Sequence, residues 1–229
     1  MNIFLLDALT TMAAAYHCDK HCIKMILETT QLLYTAWWFG RDCLPLPELD
    51  SCPYDSYRPT HKNHPSAIWV RASPTHYNWL LDLGFALCKE YYKRYGGQFH
   101  KCLTHLERLQ AMGPPEHIGE ETYQPPPHKC ATTGLPPGIE YFHCAINDAV
   151  WSQCAVYTNG QLNAIETYRR YYATKTWTLK WNKQAEVAPR WYTRIPTTAA
   201  VPKNGFYPHS PTSIASGTDG GVLQALTAI

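Results

Sequence analysis

The stretch Met12–Trp38, MAAAYHCDKHCIKMILETTQLLYTAWW, contains neither Gly nor Pro and decides the fold. It reads as one helix of about seven turns at 3.6 residues per turn. Thr10 and Thr11 offer an N-cap, and Gly40 stands just beyond the end. At about 100° per residue, His17, His21, Lys24, Glu28 and Gln31 fall within one quadrant, with Lys20 at its border. Ile23, Ile26, Leu27, Thr30 and Leu33 cover the far side, and Met25 and Leu32 flank the polar line. A mostly apolar helix with so narrow a polar stripe draws protein around itself, so the stripe is expected to look into a cleft. Ionisable groups enclosed in this way must pair with each other or with a ligand. The stripe is therefore either the floor of an active site or a polar network that braces a helical domain.

Around that helix the chain reads as mainly α, a compact helical domain with Pro-rich loops and an irregular C-terminal tail. Residues 1–195 form the domain, with a Pro-rich loop over 113–137, and residues 196–229, rich in Pro, Thr, Ser and Gly, form the tail. MNIFLL, Met1 to Leu6, is a short strand or a buried arm; packed beside the long helix, it would bring the α-amine close to the polar stripe. Pro45, Pro47 and Pro53 break the chain from Arg41 to Arg58 into a loop. Further helices are expected from Pro65, from Ser73-Pro74 to Gly96-Gly97, over His100–Met112 and over Leu162–Tyr172, while Asp148–Thr158 is a strand or a short helix.

A hydrophobic content of 45%, with eight Trp and sixteen Tyr, suffices for a real core, and a formal net charge of +2 does not by itself announce a nucleic-acid binder. No apolar run of about 18 residues suggests a membrane span, and no signal peptide is evident. The expected location is cytoplasmic, in the host cell if the protein is viral. Nine Cys with no Cys-x-x-Cys pair read as small core residues rather than a disulfide scaffold.

Two further segments carry polar chemistry. In THKNHPSAIWVR, Thr60 to Arg71, the residues His61, Lys62, Asn63 and His64 precede Pro65, which can open a helix. Helix N-terminal N–H groups favour an anion such as phosphate, so these four and Arg71 are candidate substrate-binding residues, together with Gln31. Between Thr174 and Arg194, Trp177, Trp181, Trp191 and Tyr192 alternate with Lys175, Lys180, Lys183, Arg190 and Arg194. Such interleaving suits stacking on bases with cations on phosphates, and it equally suits aromatics closing a core with solvated cations between them. Lys180, Trp181, Lys183, Arg190, Trp191 and Tyr192 are the candidates on the first reading.

Three chemistries fit the stripe. His17 and His21, at i and i+4, have the spacing of zinc-binding helices, with His61, His64 or Asp19 as a third ligand for a metal-dependent hydrolase. Cys18 or Cys22 beside a His would make a thiol nucleophile, though both point away from the polar line. The third chemistry pairs an amine with a carboxylate on a nucleoside. The amine attacks the anomeric carbon as the base leaves, and the carboxylate stabilises the oxocarbenium-like charge. Glu28 is the carboxylate; the Met1 α-amine and Lys24 are the amines, with His17 and His21 orienting the substrate. This route calls for no cofactor.

Met1-Asn2-Ile3-Phe4-Leu5, then His21 and Glu28 seven residues apart, then His64-Pro65 through Tyr91-Lys93-Arg94-Tyr95-Gly96 and the aromatic pair Trp191-Tyr192, together resemble the pyrimidine dimer DNA glycosylases of the phage endonuclease V type. The resemblance covers residues 1–35 and 60–100. It implies a compact all-α fold, a catalytic N-terminal amine, a Glu on the first long helix, and DNA as partner. Leu27 stands where that family carries Arg beside its Glu. Asn2 disfavours removal of the initiator Met, so the amine is expected to be that of Met1 or of Lys24. HCDKH…KMILE with THKNHPSAIW also looks like a pattern of uncharacterised phage and large-DNA-virus proteins. The expected function is thus DNA-glycosylase or lyase chemistry on DNA or a nucleotide, in repair or modification. The alternatives are the metal-dependent hydrolase and a non-catalytic viral module that binds nucleic acid or a host protein.

Overall fold

The computed structural model describes residues 1–39, 56–119, 126–175, 179–183 and 188–193. Gly40, the loop prolines Pro45, Pro47 and Pro53, and the tail from 196 lie outside these residues. The chain begins as a buried arm without strand pairing: Ile3, Phe4, Leu5 and Leu6 are all in the core. Arg169 fastens the end of the arm, its Nε donating to the Leu6 carbonyl at 2.9 Å and its guanidinium pairing with Asp7 at 3.0 Å.

The expected single helix is two. α1 spans Thr10–Tyr16 and α2 spans Asp19–Phe39, with His17 extended between them at ψ 133°. Thr10 and Thr11 do not cap; the N-cap is Leu9, without a side-chain bond. The break is stabilised by partners brought from elsewhere, so that each carbonyl from Ala13 to His17 has a donor. The Ala13 carbonyl takes His17 Nδ1 at 2.7 Å and the Ala14 carbonyl takes the His17 N–H at 3.2 Å. The carbonyls of Ala15 and His17 take the Arg94 guanidinium at 2.9 and 2.7 Å, and that of Tyr16 takes Trp181 Nε1 at 3.1 Å. On the other side of the break, the N–H groups of Cys18 and Asp19 reach the Tyr172 hydroxyl and the Lys180 carbonyl, each at 2.8 Å. Helix ends normally leave such groups unpaired; here long-range partners make a mid-sequence break affordable where local propensity favours continuity.

Elsewhere the sequence punctuation holds. His64 caps α3, Pro65–Arg71, its Nδ1 accepting from the Ser66 N–H at 3.1 Å. Ser73 caps α4, Pro74–Arg94, which ends before Gly96 and Gly97 at φ 66° and 78°. α5 spans Leu103–Met112, three residues later than expected because His100 bonds the Cys102 N–H instead of joining the helix. Within the expected 113–137 loop, a 3-10 turn at Pro127–Lys129 leads into β1, Cys130–Ala131, which pairs antiparallel with β2, Phe142–His143. The range Asp148–Thr158 divides into helix α6, Asp148–Cys154, and strand β3, Tyr157–Thr158, which forms a tight hairpin with β4, Gln161–Leu162, through Asn159-Gly160, both at positive φ; Leu162 thus belongs to a strand rather than to the following helix. α7 spans Ala164–Ala173, capped by Asn163.

The protein is thus mainly α. α2 packs along α4, α1 lies on the same helix, and α3 and α5 flank the pair. Gly84 on α4 permits the close crossing: a Cβ there would stand 3.1 Å from both Thr29 of α2 and Leu106 of α5. The described cysteines are all free, and all but Cys130 are buried, as core residues should be. Among the described residues no helix is long and apolar enough to cross a membrane.

Candidate active site

α2 presents Glu28 to the N-terminal arm. The carboxylate is largely enclosed, with a side chain 11% exposed, and both its oxygens are engaged. Oε2 accepts the Asn2 backbone N–H at 3.1 Å, and Oε1 pairs with Lys24 Nζ, one turn earlier, at 2.9 Å. Asn2 is held in turn by its side chain: Nδ2 donates to the Ala145 carbonyl at 3.0 Å, and Oδ1 accepts from the Tyr168 hydroxyl at 3.0 Å. That hydroxyl accepts the Ala145 N–H, so the arm, α7 and the segment after β2 form one closed hydrogen-bond circuit. The first residues of the chain are therefore fixed against Glu28 rather than frayed.

His21 and His17 lie on the same side of α2, deeper than the sequence pattern suggested. Phe4 from the arm stacks on His21 with centroids 4.7 Å apart and planes at 19°. His21 Nδ1 lies 2.8 Å from the Tyr172 hydroxyl. That hydroxyl also accepts the Cys18 N–H at 2.8 Å. His17 Nδ1 donates to the Ala13 carbonyl, and its Nε2 is buried without a hydrogen-bond partner. Burial pulls the His17 pKa down to about 4 and that of His21 to about 2, the neighbouring His17 and the lysines Lys175, Lys24 and Lys20 adding to the fall at His21. Both imidazoles are neutral at pH 7. The metal reading asks these two rings to share a third ligand, and among the described residues no group of three His, Cys, Asp or Glu side chains is placed to hold an ion.

His64 closes the site from the α3 side. Burial pulls its pKa down to about 3, and the positive α-amine of Met1, His61 and His143 push in the same direction, which places all three in its surroundings. His143, on β2, is likewise held neutral by burial, at about 4. It was not singled out in the sequence, because a two-residue strand leaves no periodic signal. Lys175, just after α7, is the other addition. Its Nζ sits 3.6 Å from the centre of the Tyr171 ring and 5.1 Å from that of Phe4.

The structure brings Met1, His17, His21, Lys24, Glu28 and His64 to one region. Gln31 is half-buried one turn beyond Glu28. His61 and Lys62 are exposed and line a cleft of about 320 Å³ with Thr35, Trp38, Phe39 and Pro59, and Asn63 is exposed beside them. Arg71 is placed differently: it is buried, donating to the Lys62 carbonyl at 2.7 Å with its guanidinium 3.8 Å over the Phe39 ring, so it shapes the His61–His64 loop from within. In the Thr174–Arg194 segment the described aromatic residues turn inward, while Trp177 and Arg194 lie outside the described residues. Trp181 is buried against Tyr16 and Tyr192, Trp191 packs on Tyr16 and Tyr172, and Lys180, Lys183 and Arg190 remain exposed. These rings close the core over the α1–α2 break, while those three cations stay on the surface.

The chain matches no family model, and no curated protein or solved structure is significantly similar to it.

Proposed function

We propose that the protein cleaves an N-glycosidic bond in DNA or a nucleotide, with an amine nucleophile working beside Glu28. The observation that carries this reading is the bracketing of one enclosed carboxylate by the start of the chain and by Lys24. An oxocarbenium-like centre needs a carboxylate within reach and an amine on the same face. Fixing the arm through Asn2, Ala145 and Tyr168 holds the amine in place before substrate arrives, which lowers the entropic part of the barrier. In the reaction the amine nitrogen bonds to the anomeric carbon, the glycosidic bond breaks with its electron pair going to the base, and the base takes up a proton. Ring opening then yields an imine, and loss of the proton at the neighbouring carbon expels the 3′ phosphate.

Of the two amines named from the sequence, that of Met1 is the better nucleophile. Lys24 is 59% exposed along its side chain and is held in an ion pair with Glu28 at 2.9 Å. The neutral His64, with the α-amine and the neutral His143 in its surroundings, is suited to hydrogen-bond a sugar or a leaving base without repelling it. Exposed Lys62, Lys180, Lys183 and Arg190 are the groups to hold phosphates. The test is strand cleavage of duplex and single-stranded oligonucleotides carrying abasic or damaged pyrimidine sites. Cleavage by the wild-type protein that is lost in Glu28→Gln supports the reading; a Glu28→Gln variant with full activity contradicts it.

A further inference from the structure

We propose that Lys175 is a second, carbonyl-reactive amine of this site, placed to form an imine with the aldehyde of a ring-opened sugar held at Glu28. The inference rests on the glycosidic reading for the identity of the aldehyde; the amine itself is picked out by its enclosure and by its lack of a carboxylate partner among the described residues, which outweigh the preference of a ring face for the ammonium. Nζ faces two aromatic rings, Tyr171 at 3.6 Å and Phe4 at 5.1 Å, and among the described residues no carboxylate pairs with it. The lysines Lys24, Lys93 and Lys129, by contrast, have Glu28, Glu90 and Asp148 within 2.9 Å. Phe4 also stacks on His21 and lies two residues from Asn2, whose N–H is on Glu28. The amine is thus set between the end of α7 and the arm that carries the first candidate nucleophile.

The charged groups around it act in both directions. Burial pulls the Lys175 pKa down to about 8 and Lys24 of α2 adds to this, while Cys154 of α6, Cys18 at the α1–α2 break and Glu28 oppose it. A larger share of free amine at neutral pH is what imine formation requires. In that step the Nζ lone pair adds to the carbonyl carbon, and the carbonyl oxygen leaves as water with the two amine protons. The imine retains the sugar product at the site after the base has gone.

The test uses the full chain and a small aldehyde without base or phosphate, glycolaldehyde, with cyanoborohydride to reduce any imine, followed by peptide mapping. At pH 7, Lys175 is expected to be modified at least ~10-fold faster than any other lysine, since an amine with a pKa near 8 is far more often unprotonated than one near 10.4. Its rate levels off above pH 8, while exposed lysines continue to rise. Lys175→Arg, which keeps the cation over the rings, removes the fast phase. Labelling of Lys175 no faster than that of exposed Lys20 or Lys62 overturns the proposal. Because the probe is not a nucleic acid, selective labelling in a protein that cleaves no oligonucleotide would support the amine while refuting the glycosidic reading.

Discussion

The Asn2 backbone N–H and Glu28 Oε2 are 3.1 Å apart, although 26 residues separate them in sequence. That single bond joins the start of the chain to the carboxylate of the long helix, and the functional reading depends on it. Replacing Glu28 by Gln keeps the shape and can still accept the Asn2 N–H, but removes the negative charge. Turnover is expected to fall by at least about 100-fold, the scale of a lost acid–base or charge-stabilising group. Stability should change by less than about 1 kcal/mol, as only a largely exposed lysine loses its partner. Oligonucleotide cleavage and chemical denaturation read the two effects separately. A large stability loss with activity retained would make Glu28 a structural brace.

Arg94 holds the α1–α2 break together. Its guanidinium binds the carbonyls of Ala15 and His17, pairs with Glu90 at 3.3 Å and approaches Asp19 at 3.6 Å. Arg94→Met keeps much of the volume and strands those acceptors in a buried position. We expect a loss of about 3–5 kcal/mol in urea unfolding. Arg94→Lys should recover only part of it, because one ammonium cannot reproduce the planar fork. A Met variant within 1 kcal/mol of wild type, a margin typical of surface sites, would show that the break does not need this clamp.

Acid should unfold the protein through its buried histidines. His17, His64 and His143 have folded pKa values of about 4, 3 and 4, and His21 about 2, all below the value of an exposed His. Below an unfolded pKa near 6.5 the unfolded chain therefore binds protons that the folded chain does not, so stability rises with pH and is lost as pH falls from about 6.5 towards 4. Each such histidine contributes a slope of up to about 1.4 kcal/mol per pH unit in that window. Denaturation midpoints at pH 7 and pH 5 measure it, and His17→Gln should flatten the dependence. A midpoint independent of pH over this range would mean that these rings are protonated in the folded state.

Much of the fold is legible in the residues. Ser73-Pro74, Gly96-Gly97 and His64-Pro65 mark helix ends by local chemistry, and the structure follows them. The hairpin at Asn159-Gly160 lies between the segments to which the sequence pattern assigns a structure, and is not among its expectations. The break at His17-Cys18 is not legible, since its donors and acceptors come from Arg94, Tyr172, Lys180 and Trp181, between 77 and 165 residues away. The polar line of α2 is legible as a pattern, but its depth is not: Ile23, expected on the covered side, is 40% exposed, while His21 and Glu28 are buried. The arm and α7 decide that outcome by covering one side of the helix. Lys175 is visible only as one cation among aromatics, because one of the two rings beside it, Phe4, comes from the start of the chain.

The most direct test of the account is borohydride trapping with a duplex carrying a single abasic site, followed by intact mass and peptide mapping. The account predicts a covalent protein–DNA adduct on an amine of this site, at Met1 or Lys175, that forms far more slowly in Glu28→Gln. Efficient binding of the duplex with no adduct, or an adduct spread over surface lysines and indifferent to Glu28, would contradict it.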